Sequence, residues 1–69
     1  MNHINRWKEY DAGELTPPCV VQHDEINEEH LSWVWTGNKI IQVSRKTYDE
    51  QAIIDEVMEM VAIETQEVI

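Results

Sequence analysis

The sequence predicts a single α+β domain over residues 1–69: a small antiparallel sheet packed against one C-terminal helix, with a short helix at the N-terminus. Three observations carry this expectation. Two apolar-rich runs flank Gly37-Asn38, a helix-start signal at Thr47 precedes apolar residues at helical spacing, and 69 residues leave room for one core. A chain of this length buries only about 60% of the surface its unfolded form exposes, so no second core fits.

The first eleven residues read as a short helix bearing Ile4, Trp7 and Tyr10, with Gly13 near its C-cap. A strand follows over Cys19 to His23. Pro17-Pro18 introduces it, as suits residues that lack the amide a strand centre needs. The acidic stretch Asp24 to His30 reads as a solvated connector to the next element.

That element is a β-hairpin over residues 31–43, in which Gly37-Asn38 supplies the positive φ of a two-residue turn. The register places Trp35 opposite Ile40 and Trp33 opposite Gln42. Leu31, Trp33, Trp35 and Ile40 then share one face, and Val34, Ile41 and Val43 share the other.

The final helix is expected over residues 47–66. Thr47-Tyr48-Asp49-Glu50 has the pattern of a capping box, and Asp49 and Glu50 place negative charge in the first turn. At 100° per residue, Ile53, Ile54, Val57, Met58, Met60, Val61 and Val68 fall on one broad arc. Asp49, Asp55, Glu56, Glu59 and Glu67 fall on the opposite arc. Ile63 lands among these acids and Glu64 interrupts the apolar face, which marks Ala62 as the point where packing gives way.

Composition bounds the function. Apolar residues make up 42% of the chain, including three Trp, which is the make-up of a folded protein. Fourteen acids oppose five bases, and the resulting charge of −9 repels nucleic-acid phosphate and anionic lipid. DNA, RNA and membranes are therefore poor direct partners. No apolar run approaches the length of a membrane span and residues 1–11 have no signal-peptide core, so the expected location is the cytoplasm. Cys19 is the only cysteine, which excludes an internal disulfide and a cysteine-rich zinc module.

Catalytic chemistry finds little footing. Cys19, His23, His30, Asp24 and Glu25 are possible metal ligands, but Cys19 and His23 on one strand stand roughly 13 Å apart, too far to share an ion. No metal or cofactor is expected. Cys19 follows two prolines, with no helix N-terminus or basic neighbour in the sequence to activate it, so it reads as core packing. Residues 24–29 lack the glycine and alternating ligands of a calcium loop. The expectation is a protein without enzymatic activity.

Two binding surfaces remain. Residues 48–69 hold seven acids and no base, and with Asp24, Glu25, Glu28 and Glu29 they supply eleven of the fourteen acids. Residues 31–47 hold Lys39, Arg45 and Lys46 and no acid. Carboxylates at i, i+3 and i+4 lie about 5–6 Å apart, which suits imitation of a nucleic-acid strand. Asp55, Glu56, Glu59, Glu67 and Asp49 are therefore the candidate contacts for a basic, nucleic-acid-handling protein partner.

The second surface is the sheet face of Leu31, Trp33, Trp35 and Ile40, since one helix covers only one face. Trp7, Tyr10 and Leu15 either fold over it, or it buries a partner or second copy. In size and charge, though in no motif, the chain is similar to the small acidic proteins by which bacteriophages and plasmids disable host enzymes. The expected function is that of an acidic inhibitor or adaptor, with assembly through the Trp-rich face as the alternative.

Overall fold

The computed structural model describes residues 4–66, the last three by their backbone only. Its elements run β1 (Ile4–Asn5), α1 (Trp7–Asp11), β2 (Cys19–Ile26), β3 (Glu29–Trp35), β4 (Ile40–Arg45) and α2 (Glu50–Gln66). The four strands form one antiparallel sheet in the order β1-β2-β3-β4, with α2 on one face.

The N-terminal segment is more than a helix. Ile4 and Asn5 pair with His23 and Gln22, and the Arg6 amide donates to the Val21 carbonyl at 2.7 Å, so the chain first adds a short strand to the sheet. α1 is then a single turn. Two residues carry too little pattern to announce a strand; what places them is the open edge of β2.

Residues 24–30 are a hairpin and no connector. β2 runs on to Ile26, β3 begins at Glu29, and Asn27-Glu28 closes the turn with φ of 52° and 65°. Two consecutive left-handed residues match the right-handed twist of the flanking strands, the type I′ geometry. Asn tolerates this conformation and Glu adopts it only at a cost, so Asn27-Glu28 carried no plain turn signal in the sequence. In the second hairpin the register is the expected one, Trp35 opposite Ile40 and Trp33 opposite Gln42. Gly37 alone takes the positive φ, 117°, while the Thr36 amide donates to the Lys39 carbonyl at 2.9 Å.

A bulge in β2 sets which side chains reach the core. Val20 faces Val34 and Gln22 faces Trp33, leaving Val21 as the extra residue. From Gln22 onward each side chain therefore points opposite to simple alternation from Val20. His23 consequently joins Val20, Ser32, Val34, Ile41 and Val43 on the helix side. The core there is Val20, Val34, Val43, Ile53 and Val57, with Ile4, Ile41, Tyr48, Ile54 and Val61 packed around it.

The N-cap of α2 is Asp49. Its Oδ1 accepts from the Ala52 amide at 3.3 Å, and its carbonyl accepts from the Ile53 amide, so the cap lies two residues after the expected Thr47 and the helix begins at Glu50. Glu50, the expected partner of Thr47, instead accepts from the Tyr48 hydroxyl at 3.4 Å and lies 4.0 Å from Arg6.

α2 crosses the strands from the β2 side to β4. Glu50 sits by Arg6, whose Nη1 donates to the Val20 carbonyl of β2, and Glu56 meets Arg45 at the end of β4. Six residues of helix advance about 9 Å, close to two strand spacings of about 4.8 Å. Past Val57, Val61 still packs on the core, while Met58, Glu59, Met60, Ala62 and Ile63 are all exposed. The expected apolar arc is thus buried only at Ile53 and Val57 and half-buried at Ile54 and Val61. Met58 and Met60 lie at the two margins of that arc, about 160° apart around the helix, and each is a little over a third exposed. The helix nonetheless continues beyond Ala62 to Gln66. Val68 and Glu67 lie outside the described residues.

Candidate interaction surfaces

The acids expected on one face of α2, Glu67 aside, divide into two groups. Asp49, Asp55 and Glu59 are exposed. Asp49 is also the helix cap, and Asp55 accepts from the Gln51 side chain at 3.0 Å. Glu56 turns toward the sheet and pairs with Arg45 at 2.6 Å, so it belongs to the fold and not to the outward face. Gln51, Met58 and Ala62 share the exposed arc with Asp55 and Glu59. The acidic face is narrower than the helical wheel implied.

The opposite sheet face does carry Leu31, Trp33, Trp35 and Ile40, and all four are half-buried. At one end it brings its own cover. Tyr10 meets Trp35 edge-on with ring centres 5.2 Å apart, and Trp7 packs on Tyr10 in the same way at 5.6 Å. The Trp7 indole N–H donates to Gln22 Oε1 at 2.6 Å, and Gln22 in turn donates to Asp24 at 2.7 Å. A third polar tie, from the Ser44 hydroxyl to Glu29 at 2.7 Å, crosses beside Leu31. The amphipathic signal of α1 was legible as Trp7 and Tyr10; its aim at Trp35 follows from the β1 pairing, which was not.

Under α2 lies a polar cluster that sequence reasoning missed. His23 Nε2 and His30 Nδ1 are 2.9 Å apart, and the two rings are parallel to within 3° with centres 5.1 Å apart. That separation is that of rings lying edge to edge in one plane, as a shared proton requires, and is too long for face-on stacking. One ring donates and the other accepts, so the bond exists only while at least one imidazole is neutral. Tyr48 lies across His23 at 4.0 Å between centres. Burial pushes the Tyr48 hydroxyl up to about 12, helped by the charge and the hydrogen bond of Glu50. The only sequence signal was His23 and His30 seven residues apart, and it became informative only once Asn27-Glu28 proved to be a turn.

Burial raises the Cys19 thiol; Arg6, a basic neighbour delivered by β1 and invisible in the sequence, pulls it back in part, and Glu50 opposes that. The Ser32 hydroxyl is fully buried and makes no hydrogen bond. Among the described residues no group of three or more His, Cys, Asp or Glu side chains is placed to hold a metal ion, and no pocket is formed. No helix among them is long and apolar enough to cross a membrane. No known protein family matches the chain, and neither a curated protein nor a solved structure matches it.

Proposed function

We propose that the chain is a non-enzymatic acidic binding protein, an inhibitor or adaptor that docks α2 onto a basic surface of a protein that handles nucleic acid. The observation that supports this reading is the direction in which charges point. Arg45 is held by Glu56 and Arg6 stands by Glu50, whereas Asp49, Asp55 and Glu59 face water on a helix with no basic residue. The surplus of negative charge is therefore outward, where it steers association with a positively charged partner. Asp55 and Glu59, one turn apart, match a local basic patch better than a long nucleic-acid groove.

The test is affinity capture from lysate with the immobilised chain, at low and high salt, using wild type and the Asp55→Asn, Glu59→Gln double variant. Capture of a basic partner by wild type at low salt, weakened at least about tenfold by high salt, is the expected result. The double variant should lose most of that capture while keeping its circular dichroism. Binding indifferent to both changes would remove the electrostatic reading. Glu56 is left alone because its substitution also perturbs the Arg45 pair.

A further inference from the structure

We propose that the His23–His30 pair is an acid-sensitive latch that seats α2 on the sheet, closed while one proton lies between the two facing nitrogens and opened when both carry one. The two rings belong to neighbouring strands and lie beneath the start of the helix. His23 on β2 is 2% exposed, and its Nε2 stands 2.9 Å from Nδ1 of His30 on β3. The rings are parallel to within 3° with centres 5.1 Å apart, so the two nitrogens point straight at one another. Tyr48, two residues before α2 begins, lies against His23 with ring centres 4.0 Å apart. The first residues of the helix are thus seated on a pair held together by a single proton.

A second proton sets N–H against N–H, leaves no acceptor between the rings and places two imidazolium charges side by side. The surroundings do little to relieve this. Ile4 on β1 and Ser32 on β3 flank His23 across the sheet and bring no charge. Opposite His30 stand Glu25 on β2 and Arg45 on β4. Glu25 is exposed, where an ion pair is worth little. Arg45 adds a further cation and is already paired with Glu56 of α2. At the start of α2, Glu50 accepts from the Tyr48 hydroxyl and lies 4.0 Å from Arg6. The unfolded chain takes up both protons freely and the closed pair does not. The seating of α2 is therefore whole above the range in which imidazole ordinarily titrates and is lost as pH falls through it. Asp55 and Glu59 ride on this helix, so acid also unseats the outward charges; that consequence rests on the binding reading above, whereas the latch is tested without a partner.

Hydrogen exchange at the Ile53 and Val57 amides of the full chain, corrected for the intrinsic rate and followed from about pH 7 to about pH 5, tests this. The opening constant of wild type is expected to rise at least about tenfold over that interval. His30→Gln keeps a donor and an acceptor for His23 while removing one titrating ring, so its rise should be at least about threefold smaller. Nitrogen NMR of the imidazoles in wild type gives a second reading that needs no variant and decides alone if His30→Gln fails to fold. Full protonation of both rings should appear in step with the loss of protection in α2. A wild type whose opening constant stays flat overturns the inference, as do fully protonated His23 and His30 with undiminished protection at Ile53 and Val57. An equal rise in wild type and His30→Gln overturns it too, since carboxylates then account for the acid response.

Discussion

Arg45 Nη1 lies 2.6 Å from Glu56 Oε1, tying the last residue of the edge strand to the middle of the helix that crosses it. Two chain segments that follow one another in sequence are thereby held at a fixed angle.

Removing this tie should cost little stability, because both side chains are about a third or more exposed. Glu56→Gln is expected to lower unfolding free energy by about 0.5 kcal/mol. Arg45→Met should cost no more than that, since it also removes the buried Nε that has no partner. Urea denaturation of both variants checks the order; a loss several times larger would mean that the pair orients α2 by itself.

The helix cap separates two readings of the same four residues. Asp49→Ala should destabilise by about 1 kcal/mol through the lost bond to the Ala52 amide. Thr47→Ala should be close to neutral. Thermal unfolding of the two single variants decides between them, and the reverse order would restore the Thr47 capping box.

Glu28 holds φ of 65° in the first hairpin turn, a conformation that costs a side-chain-bearing residue about 1–2 kcal/mol. Glu28→Gly relieves this strain and gives the turn its preferred Asn-Gly pair. Part of the gain is returned as unfolded-chain entropy, so a net stabilisation of about 0.5–1 kcal/mol is expected. A fall in melting temperature would contradict the type I′ assignment.

Tyr48 should make the fold sensitive to alkali. Its hydroxyl is raised from its ordinary value of 10.0 to about 12 in the folded chain, so between these values the folded state keeps a proton that the unfolded state has lost. The stabilisation is whole below pH 10 and disappears as pH climbs toward 12. Tyr48→Phe should flatten the decline measured by denaturation across that window, and an unchanged slope would show that Tyr48 ionises freely in the folded chain.

The residues themselves determined the fold class, the 31–43 hairpin with its register, and a C-terminal helix built on Ile53 and Val57, because period-two and period-3.6 patterns report which side chains must leave water. The absence of any base after Lys46 was equally plain. The tertiary structure alone decided what each pattern faces. A bulge at Val21 moved His23 under the helix beside His30, two left-handed residues turned an acidic stretch into a hairpin, and β1 brought Arg6 to Cys19 and aimed Tyr10 at Trp35. Helical periodicity also promised burial for Met58 and Met60. Periodicity fixes the direction of a side chain from the helix axis, but how wide an arc is buried depends on what lies beneath, and this small sheet covers only the centre of the arc, at Ile53 and Val57.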